Sequence, residues 1–322
     1  MLNITGDSVA RVCKVPKNVL PARVNQHVSI IRPDTSKLDN DFLLYYLQAI
    51  KDYLLSVAEI GATRNALTKG MIENFDLIIP GLPEQQSIAF ILNSLDDKID
   101  LLHRQNKILE ALAETLFRQW FVEETEESLE KISLYDAIEI VGGGTPKTEV
   151  AEYWGKDIKW ISGRDITPNH KQFIINTEKS ITKLGLEESS TKILPKYSTL
   201  ISARGTVGTY CLLSEPMAFS QTNYGIKPKL EGCHFFTYLL IAHSVEELQA
   251  AAYGSVFDTI TTNTFKEQEI KIPSSSEIRT FEEKVKPYFE KILSNQFQVR
   301  TLVRLRDTLL PKLMSGEIRV AV

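Results

Sequence analysis

Apolar side chains recur along two stretches of this chain in alternating steps of four and three. In the first, Ile88, Leu92, Leu95, Ile99, Leu102, Asn106, Leu109, Ala113 and Leu116 hold the stepping without a break. That is the spacing of a coiled-coil seam. Pro83 stands near the start, where a missing N–H costs nothing, and a helix is predicted from there to about Phe121. Asn106 falls at an a-type position, where a polar residue fixes register at some cost in stability. A globular core helix is the alternative, and it would show a wider apolar stripe and a shorter length. The second stretch opens with Ser274 and Glu277, spaced as a capping box. Phe281, Val285, Tyr288, Ile292, Val299, Leu302 and Leu309 then follow the same stepping. Asn295 and Arg306 interrupt it, and Pro287 predicts a kink. A whole folded segment lies between the two helices, so they are expected to pair antiparallel.

Outside the helices the pattern changes to short β-rich runs, and these repeat. The segment 20–33, LPARVNQHVSIIRP, resembles 215–228, EPMAFSQTNYGIKP, with Pro21, Gln26 and Pro33 opposite Pro216, Gln221 and Pro228 at one offset of 195. The segment 61–80 resembles 254–273 at an offset of 193, with Gly61 opposite Gly254 and Pro80 opposite Pro273. Each copy then enters one of the long helices. The period is too long for a solenoid and reads as a duplicated domain-plus-helix unit. The second unit carries about sixty further residues, roughly 131–192, ahead of the shared part. The first is expected to lack that front half.

Composition adds limits. The 322 residues allow two domains. Three cysteines, Cys13, Cys211 and Cys233, lie far apart and form no metal motif, which points to a reducing, cytoplasmic setting. The run Phe235–Ala242 is far too short to cross a bilayer, so no membrane partner is expected. Net charge is −4, yet residues 192–229 carry Lys192, Lys196, Arg204, Lys227 and Lys229 against Glu215. A local basic face can bind phosphates even when the total is negative.

Enzymatic signatures are missing. The Gly-rich VGGGTP (141–146) is not followed by Gly-Lys-Ser/Thr, and SARGTVG (202–208) lacks the longer dinucleotide fingerprint. The five histidines have no metal-ligand spacing. There is no Asn-Pro-Pro-aromatic motif of the amino-methyltransferase kind. No catalytic residue, metal or cofactor is expected.

Four segments taken in order resemble a known family: GGGTPKTEVAEYWGKDIKWISGRDI, then STLISARGTVG, then SQTNYGIKP, then a helix ending LLPKLMSGEIRV. With LAETLFRQWF (112–121) closing the first helix, the chain resembles the specificity subunits of type I restriction–modification systems over nearly its whole length. The resemblance implies an α/β (α+β) chain with two target-recognition domains, the first partial, separated by two long antiparallel coiled-coil helices. The implied domains are a partial first recognition domain (1–80), a central helix (81–122), a complete second recognition domain (123–273) and a C-terminal helix (274–322). It further implies a non-catalytic subunit that reads a split double-stranded DNA target. The helices would dock modification (methyltransferase) subunits, and the assembly would recruit a restriction subunit. A second copy of the chain is a further candidate partner. At ~57 Å, a helix of about 38 residues exceeds one turn of duplex DNA, about 34 Å. The rival reading is a scaffold that assembles through its coiled coil without binding DNA.

Candidate contacts follow from the chemistry of readout. Arg and Lys suit guanine, Asn and Gln suit adenine, and small polar groups suit phosphates. Around the Gly205–Gly208 turn these are Arg204, Thr206 and Thr209, followed by Gln221, Asn223 and Tyr224. For Gln221 and Asn223, turn capping or strand-edge bonding is an equal alternative. Lys147 suits a phosphate, whereas Arg164 suits a base or phosphate unless it pairs with Asp165. A further loop brings Thr261, Thr262, Asn263 and Lys266. In the first unit the counterparts are Arg11, Arg23, Gln26, Arg64 and Asn65. Trp154 and Trp160 are expected in the core.

Overall fold

A computed structural model describes residues 1–59, 66–123, 129–253 and 258–320. It divides into two compact units, one of residues 1–103 with 298–322 and one of residues 104–297. Both long helices pass through both units.

The first unit holds an antiparallel pair, β1 (Leu2–Asn3) and β2 (Val28–Ser29), then helices α1 (Asn40–Ala49), α2 (Lys51–Glu59) and α3 (Lys69–Glu73), and the first part of α4 (Leu82–Arg118). Its core gathers Leu2, Val9, Leu43, Leu47, Leu54 and Leu67. A second cluster packs Phe42 and Tyr45 of α1 on Ile88 and Leu92 of α4, with Leu313 from the C-terminal helix. The Tyr45 hydroxyl donates to Asp96 at 2.7 Å, and Arg306 donates to the other oxygen of that carboxylate at 2.7 Å. Burial and the neighbouring Asp96 raise the Tyr45 phenol pKa.

The second unit begins with β3 (Lys131–Ser133), α5 (Leu134–Ala137), β4 (Ile138–Gly142), β5 (Trp154–Ile161) and α6 (Gly163–Ile166). There follow β6 (Phe173–Ile174), β7 (Lys179–Ile181), α7 (Lys183–Glu187), β8 (Ile193–Leu194), β9 (Thr199–Ser202), β10 (Tyr210–Leu213), β11 (Met217–Phe219) and β12 (Asn223–Pro228). Helices α8 (His234–Tyr253) and α9 (Thr262–Glu267), strand β13 (Glu269–Lys271) and helix α10 (Ser275–Met314) complete the chain. A five-stranded sheet runs β4-β12-β9-β10-β6, and a four-stranded sheet runs β7-β5-β11-β8. Strand alternation sorts the larger sheet's side chains onto two faces. Leu200, Cys211 and Leu213 join Met217, Phe219 and Leu194 in one core, while Ile201, Tyr210, Leu212 and Ile226 join α8 and the long helices in another. The smaller sheet's β5 and β7 come from the front residues for which the first unit has no counterpart among the described residues.

The long helices run as the stepping predicts. Helix α10 is capped by Ser274 and Glu277, each accepting the other's backbone N–H. It continues unbroken through Pro287. The antiparallel direction is visible inside each unit: in the first, Ile88 and Leu92 cluster with Leu313 and Asp96 meets Arg306, and in the second, Asn106 meets Asn295 and Phe117 meets Phe281. Ile88, Leu92, Ile99, Leu102, Val285 and Ile292 are buried, whereas Leu95, Leu109, Leu116, Val299 and Leu302 are half-buried. Asn295 does not interrupt the seam, because its amide donates to Asn106 at 2.8 Å to make one buried polar layer. Within the second unit the narrow seam widens. Phe289 and Leu293 are buried beside it, because α8 covers a further face of α10. Phe117, Trp120 and Phe121 close α4 against Phe236 and Phe281, with Phe121 and Phe281 centroids 4.9 Å apart. This aromatic clamp accounts for the bulky residues of the 112–121 segment. Trp160 is buried and Trp154 half-buried, with their rings in edge contact as core residues.

Glu282 of α10 is buried and accepts from the backbone N–H groups of Phe235 and Phe236 at 3.0 and 2.8 Å, capping α8. Burial raises its pKa to about 7 despite those donors.

Two stability outcomes follow. Asn106→Leu strands the Asn295 amide and should cost roughly 1–3 kcal/mol in denaturant unfolding, while adding Asn295→Leu should recover most of that loss. A carboxyl whose folded pKa is raised favours the native state most below its unfolded value of 4.5 and loses that contribution as pH rises to about 7. Glu282→Gln should therefore gain on the parent by on the order of 2–3 kcal/mol between those limits, as read from chemical melts across pH.

Candidate nucleic-acid interface

The hairpin from β9 to β10 carries the loop 203–209 at one end of the larger sheet. Gly205 and Gly208 adopt φ of 80° and 79°, a region that an L side chain resists. They turn the chain so that Gly208 N–H donates to the Ser202 carbonyl and Ser202 N–H to the Thr209 carbonyl. Val207 is buried and anchors the loop, leaving Arg204 and Thr206 exposed on either side of Gly205.

Four other segments are bonded to this loop or to each other. Ala203 N–H donates to Thr222 at 2.9 Å, tying in the turn before β12. Ile260 N–H donates to Ala203 at 3.1 Å, tying in the loop before α9. The Thr206 hydroxyl lies 2.9 Å from that of Thr167, just past α6. Ser220 N–H donates to Ile161, and Gly144 N–H donates to Phe219, so the Lys147 loop adjoins the same turn. At Gly144 any Cβ would collide with the backbone of Ser190 and Thr191, so glycine is required for this close approach.

These bonds bring several of the candidates together. Lys147, Arg164, Arg204, Thr206, Gln221, Thr261, Thr262 and Asn263 are exposed on the linked segments. Arg164 does not pair with Asp165. The Asp165 carboxylate accepts from Ser162 and from Glu178 N–H, and Arg164 has Glu178 only at 3.9 Å. Thr261 also caps α9 and accepts from Thr264 N–H.

Other candidates are placed differently. Asn223 is 1% exposed and donates to Ser220 at 2.8 Å, so of its two equal readings the structure shows the bond inside the turn and not the outward contact. Tyr224 is half-buried with its ring on Phe265, and Thr209 is half-buried in the hairpin neck. Lys266 lies over the Tyr135 ring at 5.0 Å. The expected basic face is partly consumed, since Lys227 pairs with Glu139 and Lys229 donates to the Asp136 carbonyl. In the first unit, Arg11, Arg23 and Gln26 are exposed, whereas Arg64 and Asn65 lie outside the described residues.

The sequence reading missed that the first unit repeats this hydrogen-bonded plan. Ile4 N–H donates to His27 at 2.9 Å, as Ala203 does to Thr222. Leu67 N–H donates to Ile4 at 2.8 Å, as Ile260 does to Ala203. Thr68 caps α3 as Thr261 caps α9. Gly6 has φ of 75°, matching Gly205, and Ala10 has φ of 64°, matching Gly208. The loop NITGDSVAR (3–11) is thus the counterpart of SARGTVGT (202–209), with Ser8 inserted before the buried Val9. The paired Gly and Val positions were a signal, and the one-residue insertion hid it. Arg11 then corresponds to Thr209, and Thr5 corresponds to Arg204.

Among the described residues no cluster could hold a metal ion, and no helix is long and apolar enough to cross a membrane. Comparison with known proteins places this geometry. The model of the family described as "Type I restriction modification DNA specificity domain" matches residues 7–111 and 126–298. The chain is 26% identical to the specificity subunit of the type I restriction enzyme HindI of Haemophilus influenzae, covering 92% of this chain and 81% of the relative. It is also 26% identical to the specificity subunit of MjaIX of Methanocaldococcus jannaschii, over 86% of this chain and 69% of the relative. A crystal structure of a type I restriction–modification S subunit from M. genitalium shares the fold with a TM-score of 0.62 at 15% identity, covering 87% of this chain and 74% of that one.

Gly144→Ala should separate the linked segments by forcing the 143–147 loop off the Ser190–Thr191 backbone. A thermal midpoint lowered by several degrees, of the order that follows from roughly 1–3 kcal/mol of overpacking, is expected.

Proposed function

We propose, from the premise that this chain belongs to the type I restriction–modification DNA specificity family, that it reads duplex DNA through the linked loops of its second unit. A specificity subunit is the recognition component of its system and not the catalytic one. The observation that carries the reading is the set of backbone bonds made by Ala203, which hold exposed Arg204, Thr206 and Gln221 on joined segments. Arg204 offers the bidentate donor that suits a guanine edge. Gln221 suits adenine, and Lys147 with the threonine hydroxyls suits phosphates that set the docking register.

In the fuller reading the target is split. The second unit takes one part and the first unit the other, on the strength of the loop plan the two share. The complex would direct modification and restriction subunits to that target.

The test is binding of labelled duplexes by the full chain, alone and with a modification subunit, at several salt concentrations. Affinity should fall steeply as salt rises, because phosphate contacts release counterions. Arg204→Ala should weaken target binding by roughly 1–3 kcal/mol and relax the preference at one base position. Binding of target and non-target duplexes by that variant just as by the parent would remove the Arg204 assignment. An absence of binding in both forms would favour the scaffold.

A further inference from the structure

The first unit's loop repeats the backbone of the second unit's loop and changes its chemistry. Thr5 stands where the second unit has Arg204, and Asp7 stands where it has Thr206. In the second unit Thr206 bonds to Thr167, part of the front segment. The first unit has no described counterpart of that segment, and Asp7 is exposed. The loop borders a cleft of about 820 Å³ whose polar lining is Asn3, Thr5, Asp7, Ser8, Asn25 and His27. The Thr5 hydroxyl sits 2.6 Å from His27 Nδ1, Asn25 accepts from His27 N–H at 3.0 Å, and Asn3 donates to Ser8. These bonds hold the rim in place around one carboxylate. The nearest cation along the loop is exposed Arg11, at the position of Thr209.

We propose that the Thr5–Ser8 loop reads duplex DNA by accepting hydrogen bonds, through Asp7, from major-groove base edges that carry an exocyclic amino group. Such edges are cytosine N4 and adenine N6, whereas Arg204 in the second unit suits the acceptor edge of guanine. The carboxylate tolerates its place in a phosphate field because Arg11 at the end of the loop takes the backbone contact. The two units therefore share one hydrogen-bonded frame and read chemically opposite groups.

The proposal rests on the DNA-recognition reading, and one experiment separates their failures. The full chain with its modification subunit is used to select bound sequences from a random duplex pool, as parent, as Asp7→Ala and as Arg204→Ala. Asp7→Ala is expected to lose roughly tenfold preference at a position where the parent selects cytosine or adenine, leaving the position set by Arg204 unchanged. Asp7→Asn should shift that same position towards adenine, since an amide pairs with adenine N6 and N7. Because Asp7 is exposed, both variants should melt as the parent does. Two outcomes overturn the proposal while leaving DNA recognition standing. In one, Asp7→Ala selects the parent's sequences. In the other, it binds every duplex more tightly without changed preference, which would show a carboxylate that only repels. If neither the parent nor any variant selects a sequence, the DNA-recognition reading fails and the proposal falls with it.

Discussion

Ala203 holds the candidate interface together with its two peptide groups. Its N–H is given to Thr222 and its carbonyl is taken by Ile260, so one buried residue joins a hairpin, a turn and the approach to a helix. Buried backbone groups must find partners, and here the partners lie on loops distant in sequence. The side chains beside Ala203 are exposed because its methyl group and Val207 are not. Loops that carry recognition gain from a rigid support, and this one is supported from three directions. Ile4 does the same work in the first unit, bonding His27 and Leu67.

The helix pair rests on a different balance. An apolar seam gives affinity between helices but sets register weakly, since neighbouring turns of leucine and isoleucine are nearly interchangeable. The Asn106–Asn295 layer removes that freedom, because either amide slid by one turn is left buried without its partner. Asp96 plays a comparable part in the first unit, where Tyr45 and Arg306 share its carboxylate. Neither helix is simply a spacer. Where α8 lies on α10, Phe289 and Leu293 are buried too, and the α4 terminus ends in an aromatic clamp on Phe236 and Phe281.

Glycine and threonine explain much of how the second unit meets its front segment. Gly144 lets two backbones touch within the front segment while its N–H reaches Phe219 outside it, and Thr206 reaches Thr167 across the junction. The first unit shows the same loop without that junction among the described residues, and the cleft beside Asp7 is correspondingly bordered by its own loop and the 25–28 segment. A shared frame with unlike side chains is what a duplicated recognition element requires if its copies are to discriminate different bases.

The long helices, their capping box, the polar seam position and the duplication were legible in the sequence, because period, cap and spacing are local quantities. Offsets of 195 and 193 between Gln26 and Gln221 and between Pro80 and Pro273 were enough to show two copies. The polar run 220–224 was legible as hydrogen-bonding capacity but not as its direction. Asn223 turns inward to Ser220, whereas Gln221 stays out, because Gln221 lies in the turn before β12 and Asn223 is the first residue that pairs with β9. The partner of Asn295, the widening of the seam under α8, and the loss of Lys227 to Glu139 likewise required atoms far apart in the chain to be placed side by side. The tertiary structure also decided that residues 3–11 are a second copy of the 202–209 loop. Backbone hydrogen bonds recorded that relation after one inserted serine and unlike side chains had removed it from the letters.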